Sequence, residues 1–399
     1  MMDLARMVTA QWSATLILGV VTIALQLVLA RALGPAEFGL YSVATAVGAI
    51  ALVVQTGGYR ALLLREGVRA TPGMPERRNI FAKGLGHLYR STFLMVAAAV
   101  LIGTVLGSPL TLPLALVLGI NAPRVIALLL SAHALARGAM ADEARWQVRS
   151  RVLPSIAAAV LAVASGSLTL VLLAMLAAQA LVLRWPPDGT PRLTMDLEQH
   201  QDTLKASLGI FAIELLTQLY TRQSMMVLYA ASVPIDEIGR LGALLRLLEA
   251  YTLLLGPLVV IFHNRVRSGG VRSAPAQQLA MLVVAGSTAA IAVGFVVAMA
   301  AGAGVLHLLL GSAYRSAAHL LPWLLAVGLV MVPNMLMSQV LIARNREWSY
   351  TAIAAAMVPF NLLLNVCLVG WLGTKGAVIA MLATEAVLGG LMAWRIARD

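Results

Sequence analysis

Long stretches without a charged residue constrain this chain more than any other feature. Lys, Arg, Asp and Glu are absent from residues 7–30, 38–59, 91–123, 152–183, 273–314, 316–343 and 348–374. A helix that crosses the hydrocarbon of a bilayer needs about 20 apolar residues. Since 60% of all residues are apolar and only 12% are charged, too little polar surface remains for a soluble protein. The pattern predicts an all-α, polytopic membrane protein.

We place twelve membrane spans in this pattern. They cover residues 8–30, 39–62, 87–107, 110–136, 152–166, 168–184, 207–231, 240–263, 278–301, 317–343, 348–370 and 376–396. The stretch 152–183 fits either one long helix or two short ones. Two helices keep most Lys and Arg residues on one side of the membrane, whereas one helix would move the later basic loops to the other side. The positive-inside bias therefore favours twelve spans with both termini in the cytoplasm.

The longest polar interruption, 185–206, divides these spans six and six. We therefore predict an N-terminal lobe over 1–184, a cytoplasmic linker over 185–206 and a C-terminal lobe over 207–399. Glu-Phe-Gly at 37–39 follows the first span, and Glu-Ile-Gly at 237–239 follows the seventh. Matching motifs at equivalent positions favour a parallel repeat, with two six-helix lobes around a central cavity.

The motifs that would indicate an enzyme are missing from the sequence. It contains neither a Gly-x4-Gly-Lys-Ser/Thr loop nor a His-Glu-x-x-His pair, and Cys367 is its only cysteine. The net charge of +12 comes from basic residues that lie between apolar runs, which points to membrane topology rather than to nucleic acid. We predict no enzymatic activity, no catalytic residue, no cofactor, no metal site and no nucleic-acid partner.

Charged residues inside the predicted spans are the candidates for function. An arginine at the centre of a span costs about 2.5–3.5 kcal/mol on insertion scales, so it is expected to face water or a partner. The planar guanidinium also matches the oxygens of a phosphate. The candidates are, for substrate binding, Arg60, Arg124, Arg222 and Arg246, and, for ion coupling, Glu214 and Glu249. A cationic cavity indicates an anionic substrate that is moved rather than altered.

Structural roles remain open for several of these residues. Arg60 lies near the end of its span and could snorkel to the surface. Arg246 and Glu249 are three residues apart and could form an ion pair within one helix. Glu214 could serve as the partner of Arg222 or Arg124 rather than as a coupling group. A mid-span Glu385 favours an interhelical contact.

Four stretches carry a resemblance to a known family. They are LARALGPAEFGLYSVATA at 29–46, IGRLGALLRLLE at 238–249, GSAYRSAAHLLPWLLAVG at 311–328 and NLLLNVCLVGWLGTKGAVIAMLATE at 361–385. In this order they resemble the polysaccharide-type, Wzx-like flippases of the multidrug/oligosaccharidyl-lipid/polysaccharide exporter superfamily. The resemblance covers most of the chain, but it does not specify a glycan.

The resemblance implies a twelve-helix carrier in the bacterial inner membrane. Such a carrier moves undecaprenyl-diphosphate-linked oligosaccharide from the cytoplasmic to the periplasmic leaflet by alternating access, for O-antigen, capsule or exopolysaccharide assembly. The implied partners are this lipid-linked oligosaccharide, membrane lipid and other polysaccharide assembly proteins. The resemblance also implies that Arg60, Arg222 and Arg246 lie on helices that line the cavity.

Three other functions stay open on the sequence alone. A multidrug/cation antiporter of the same superfamily would need acidic residues in its cavity, whereas arginines outnumber acids inside these spans. A membrane glycosyltransferase or polymerase would need a large external loop, and the predicted external loops are short. A non-transporting scaffold for a polysaccharide assembly complex is the third alternative.

Overall fold

The computed structural model describes residues 2–67, 75–190, 196, 201–271 and 273–398. Side chains are described for these residues except 2–18, 66, 67, 75–79, 201–206, 210, 254 and 257. No strand occurs in the described ranges, and the predicted all-α class is confirmed. Much of the predicted linker 185–206 lies outside the described residues.

Eleven α-helices and one 3-10 segment make up the described structure. They are α1 (Met2–Thr56), α2 (Tyr59–Gly67), α3 (Pro75–Val105), α4 (Thr111–Ala136), α5 (Met140–Ser165), α6 (Leu168–Val182), α7 (Gln201–Ala230), α8 (Ile235–Gly269), α9 (Ala274–Leu310), the 3-10 segment Ser312–Leu320, α10 (Leu321–Ala343) and α11 (Glu347–Arg398). Among the described residues, seven helices are long and apolar enough to cross a membrane, or eight if the bent α8 counts as one span. The protein is therefore a multi-pass membrane protein.

Two of the kinked helices, α1 and α11, each hold two of the predicted spans. In α1 the backbone leaves helical geometry at Gly34 (φ 71°, ψ 171°), directly before Pro35. In α11 it does so at Gly373 (φ 55°, ψ −133°). A positive φ suits glycine because it has no Cβ, and proline cannot donate the helical hydrogen bond of its position. The predicted boundaries between spans 1 and 2 and between spans 11 and 12 fall at these kinks.

The chain divides into two compact units. Unit 1 comprises Met1–Leu33 and Leu40–Arg222, and unit 2 comprises Gly34–Gly39 and Gln223–Asp399. The division thus falls within α7, later than the predicted linker, because the two ends of α7 pack in different units. Ser207 approaches Gly58 of unit 1 so closely that a Cβ on the glycine would lie 2.9 Å from the serine Cβ. Gln223 donates a 2.6 Å hydrogen bond to the Asn361 side chain of unit 2.

Buried polar side chains join the helices within each unit. In unit 1, the Gln55 side chain donates to the Leu118 carbonyl oxygen (3.2 Å), so that α1 is bonded to α4. In unit 2, the Asn334 amide of α10 donates to Glu385 Oε2 at 2.7 Å, which confirms the interhelical contact predicted for that carboxylate. Asn361 donates to Thr384 Oγ1 at 2.8 Å across the kink of α11. Such bonds hold membrane helices together where the apolar surroundings give little preference for one partner.

Apolar packing in unit 1 sets the positions of the charged groups described below. The core joins α2, α3, α4 and α5, and Trp146 of α5 lies at its centre with 1% of its surface exposed. The indole Nε1 donates a 3.0 Å hydrogen bond to the Ala127 carbonyl oxygen of α4. This bond fixes the rotation of α5 against α4, and therefore which of the arginines on α5 face the interior.

Candidate functional site

Arg60 is presented by a sharp bend between α1 and α2. Gly57 and Gly58 adopt φ values of 56° and 73°, and the His87 ring packs into the space that a side chain on Gly57 would fill. His87 Nε2 lies 2.8 Å from the Val54 carbonyl oxygen, which ties α3 to the end of α1. α2 therefore starts in a new direction at Tyr59, and Arg60 is partly buried. Within the described structure its Nε is buried without a hydrogen-bond partner.

Arg124 lies on α4 immediately after Pro123. Protein atoms surround its guanidinium closely enough to desolvate it, yet the residue keeps exposed surface. The guanidinium is therefore enclosed by protein atoms while the residue stays accessible to a ligand. Tyr41 of α1 lies within electrostatic range of Arg124, and the Gln26 amide donates to the Tyr41 hydroxyl at 3.0 Å.

Four arginines of unit 1 are linked by pairwise electrostatic interactions. Arg124 interacts with Arg151 of α5 and with Arg222 of α7, and Arg151 interacts with Arg60 of α2. We call Arg60, Arg124, Arg151 and Arg222 the arginine cluster. The structure thus brings together three of the four arginines that the sequence indicated for substrate binding. Like charges at this range repel one another, so the cluster favours the binding of an anion.

The sequence interpretation overlooked two arginines that lie close to these elements. Arg151 directly precedes the charge-free stretch 152–183, a position that is typical of a basic residue in a cytoplasmic loop. Arg90, near the start of the predicted third span, lies within electrostatic range of Tyr59, the neighbour of Arg60. Both arginines lie at the edge of a predicted span. In the sequence, such an arginine cannot be distinguished from a loop residue that sets the membrane topology, because the distinction depends on how the helices pack.

Glu214 supplies negative charge beside the arginine cluster. It lies on α7, eight residues before Arg222, and it is partly buried. Its electrostatic partner is Arg60, whereas the sequence had favoured Arg222 or Arg124. Eight residues of α-helix separate Glu214 from Arg222 by about 12 Å along the axis, so the two groups of α7 act at different points of the site.

A second carboxylate, that of Glu143 on α5, contributes negative charge beside Arg151 of the arginine cluster. Its side chain is fully buried and interacts electrostatically with Arg151. Glu143 Oε1 accepts a 2.6 Å hydrogen bond from the Ser131 hydroxyl of α4 and another from the Gln147 amide. A buried carboxylate held in this way lowers the cost of keeping the charge of Arg151 in an enclosed site.

Arg246 and Glu249 belong to unit 2 and form an ion pair within α8. Arg246 Nη1 lies 2.7 Å from Glu249 Oε2. The arginine side chain is 16% exposed and the glutamate side chain 43% exposed. The structure therefore contains the intrahelical pair that the spacing made possible, and a role for either residue in substrate binding or ion coupling stays a prediction.

The donor set of the site suits anions and not a metal ion. Over the described ranges, no three His, Cys, Asp or Glu side chains come together as a metal site would require. The cluster instead offers guanidinium groups, which bind phosphate oxygens through paired N–H donors.

The sequence matches one family of proteins. The family is described as polysaccharide biosynthesis protein, and the match covers residues 28–238. All four members of the arginine cluster and Glu214 lie within the matched residues, whereas Arg246 and Glu249 lie beyond them. No curated protein matches the sequence.

Solved structures resemble the fold over nearly the whole chain. A multidrug resistance MATE family transporter of the MOP superfamily, in an inward-facing conformation, has a TM-score of 0.71 at 15% identity, over 98% of both chains. The lipid II flippase MurJ gives 0.73 at 12% identity, over 97% of this chain and 87% of its own. A MOP superfamily transporter from Pyrococcus furiosus gives 0.55 at 15% identity, over 96% and 95%. At these identities the similarity establishes the fold.

Proposed function

The chain belongs to the polysaccharide biosynthesis protein family, and on this premise we propose that it moves a polyprenyl-diphosphate-linked oligosaccharide across the membrane. In this proposal the protein is a flippase of a bacterial inner membrane, with both termini in the cytoplasm. It carries repeat units to the periplasmic leaflet for the assembly of O-antigen, capsule or exopolysaccharide. It acts without a cofactor and without catalysing a reaction.

The arginine cluster is the observation that carries this proposal. Pairwise electrostatic interactions link its four guanidinium groups, and Arg124 is both enclosed and accessible. A diphosphate that leaves water must replace its hydration with hydrogen bonds, and charge-assisted bonds from arginine are the strongest replacement that side chains offer. We therefore infer that the cluster recognises the diphosphate. This group is common to all such substrates.

The comparisons support a lipid-linked substrate in a more general way. The fold resembles that of MurJ, which is named as a lipid II flippase, and the matched family takes part in polysaccharide biosynthesis. Together they favour a substrate with a lipid anchor and a sugar headgroup. We propose that the headgroup enters the protein while the polyprenyl tail stays in the bilayer.

Glu214 and Arg60 suggest how substrate binding is coupled to an ion. In the empty protein the Glu214 carboxylate offsets the charge of Arg60. A bound diphosphate competes for Arg60, so Glu214 loses its counter-charge and takes up a proton or a sodium ion. After release of the substrate, Arg60 again pairs with the ionised Glu214. Substrate and ion are thus bound at the same time and move in the same sense.

The membrane potential also favours outward movement of this substrate. Moving one elementary charge through 100 mV corresponds to about 2.3 kcal/mol. Two negative charges that move outward down an inside-negative potential therefore release up to about 4–5 kcal/mol. This energy supports transport without nucleotide hydrolysis.

Transport in proteoliposomes tests the proposal. A fluorescent polyprenyl-diphosphate oligosaccharide is reconstituted with the purified protein, and its protection from a membrane-impermeant quencher is followed with time. We expect transport by the wild type and its loss in Arg124→Gln and Arg222→Gln. The control is Arg265→Gln, because Arg265 is exposed and donates to a backbone carbonyl oxygen, that of Pro275. Transport of cationic dyes in place of the lipid would instead favour a multidrug antiporter.

A further inference from the structure

One face of α5 combines two arginines with an exposed apolar stripe. The side chain of Arg145 is 82% exposed, and the partly buried Arg149 lies one turn further along. The exposed large hydrophobic residues of α5 on the same side of the helix are Val148, Leu153, Ile156, Val160 and Val163. The face therefore changes from cationic to apolar along a single helix.

This face is distinct from the arginine cluster, although both use α5. Residues two positions apart on an α-helix point about 200° away from each other. Arg149 and Arg151 therefore project to opposite sides, and Arg151 interacts with Arg60 and Glu143 of the interior. Arg145 lies four residues before Arg149 and shares its side.

Arg149 is held in place by its neighbours. Its guanidinium lies 5.5 Å from the centroid of the buried Trp146 ring and donates to the carbonyl oxygen of Trp185. Among the described residues, its Nε is buried without a hydrogen-bond partner. Trp185, which follows α6, has 54% of its surface exposed, as is typical of tryptophan at a membrane interface.

A groove runs along the boundary between the charged and the apolar parts. It has a volume of about 510 Å³ and is lined by Ala144, Arg145, Val148, Arg149, Val152 and Leu153. Asp142 is the acidic group nearest to Arg145, at 3.8 Å, and its side chain is 38% exposed. Such an exposed pair contributes little binding energy, so Asp142 leaves Arg145 available to a stronger anion.

The dimensions of the face match one lipid molecule. The eleven residues from Leu153 to Val163 span about 15 Å of helix, which is half of the roughly 30 Å hydrocarbon thickness of a bilayer. Because one acyl chain covers one leaflet, a headgroup at Arg145 and Arg149 leaves an apolar stripe long enough for one acyl chain. A free phosphate would use only the cationic end, and a protein partner would not require this length.

We propose that this face of α5 binds an anionic phospholipid of the adjacent leaflet, with the headgroup phosphate at Arg145 and Arg149 and an acyl chain along Val152 to Val163. The site is independent of the transport proposal, because it uses no member of the arginine cluster. It fixes the depth at which α5 enters the bilayer and holds the end of α6, through Trp185, at the same level.

Native mass spectrometry of the delipidated full-length protein tests this site. Phosphatidylglycerol and phosphatidylcholine with the same acyl chains are added in turn, and the bound fraction is measured. We expect phosphatidylglycerol to bind at least tenfold more tightly, and this preference to fall by tenfold or more in Arg145→Gln/Arg149→Gln. The single variant Arg145→Gln should lose part of the preference without a change in folding, because its side chain is so exposed. The charge-matched control is Arg265→Gln/Arg267→Gln on α8.

Three results would overturn the proposal. One is equal binding of the two lipids by the wild type. Another is an unchanged preference in both the single and the double α5 variants while the protein remains folded. The third is displacement of the lipid by inorganic phosphate as effectively as by phosphatidylglycerol, since the site would then recognise an anion alone.

Discussion

Gly39 and Gly239 pack backbone against backbone, each at the end of one of the two Glu-x-Gly motifs. A Cβ on Gly239 would lie 1.8 Å from the Pro35 carbonyl oxygen and 2.8 Å from the Gly39 nitrogen. A Cβ on Gly39 would lie 2.1 Å from the Ile235 carbonyl oxygen. The contact is reciprocal, since the glycine of each motif contacts the residue two positions before the other motif. It joins the segment Gly34–Gly39 to the rest of unit 2.

Alanine at either glycine should therefore destabilise the protein. The added Cβ meets backbone that cannot move aside, and overpacking of this kind costs about 1–3 kcal/mol. We expect a lower melting temperature in detergent for Gly39→Ala and for Gly239→Ala. Gly286→Ala is the matched control, because a Cβ there meets nothing within 4 Å. A melting temperature for Gly239→Ala equal to that of Gly286→Ala would contradict the close contact.

A lysine at position 124 should restore only part of the transport that glutamine removes. Lysine keeps the positive charge but loses the planar, paired donors that match phosphate oxygens. We expect transport to fall roughly tenfold or more in Arg124→Gln, since a hydrogen bond to a charged group contributes about 1.5–3 kcal/mol, and to fall less in Arg124→Lys. The initial rate in proteoliposomes measures both. Equal rates for the two variants would show that the positive charge alone contributes nothing to transport at this position.

Removing the charge of Glu214 should preserve substrate binding and abolish the coupling of transport to an ion gradient. Glu214→Gln leaves Arg60 without its electrostatic partner, so the diphosphate no longer competes with a carboxylate. We expect lipid-linked substrate to bind at least as tightly as in the wild type. We also expect the transport rate to stop responding to an imposed proton or sodium gradient. A variant that keeps the full response would exclude Glu214 as the coupling group.

The bond between Asn334 and Glu385 should contribute measurably to stability. Asn334→Leu removes both hydrogen bonds that the amide donates to Glu385, one to Oε2 and one to the backbone oxygen. Polar bonds between membrane helices contribute about 0.6–2 kcal/mol, and a carboxylate that loses a donor within the membrane adds to the cost. We expect a lower melting temperature than for Ser338→Ala on the same helix, where the hydroxyl donates to the Met335 carbonyl oxygen of its own helix.

Loss of the interhelical bond would have no effect if solvent or another group replaced it fully. Equal melting temperatures for Asn334→Leu and Ser338→Ala would therefore contradict a stabilising role of the bond between Asn334 and Glu385. The comparison isolates the interhelical contribution, since both side chains lie on α10.

The local features of the fold could be predicted from the sequence. The charge-free stretches predicted many helix ends within a few residues, although α3 and α5 begin twelve residues before the predicted spans and the bend at Gly57 and Gly58 interrupts the predicted span 39–62. The pairs Gly34-Pro35 and Gly373-Thr374 lie between predicted spans. These features depend on neighbours in the chain, so hydropathy and turn residues are sufficient to find them. The division of α7 at Arg222 and Gln223 was not predictable, because it depends on which helices each end of α7 contacts.

The site was only partly predictable for a similar reason. Arg60, Arg124 and Arg222 could be identified because charge within an apolar span is costly. Arg151 could not, since it lies one residue outside a span, and only the rotation of α5 that Trp146 sets brings it to the interior. The partner of Glu214 depends on the bend at Gly57 and Gly58, which turns Arg60 toward α7 and leaves no pattern in hydropathy.

The affinity of the purified protein for three lipids tests the central claim most directly. The lipids are a polyprenyl diphosphate, the corresponding monophosphate and the neutral polyprenol, measured with the wild type and with Arg124→Gln and Arg222→Gln. If the arginine cluster recognises the diphosphate, the wild type binds that lipid most tightly. Each variant then loses tenfold or more for the diphosphate and nothing for the polyprenol. Equal affinity for all three lipids, or variants that bind the diphosphate as the wild type does, would contradict the account.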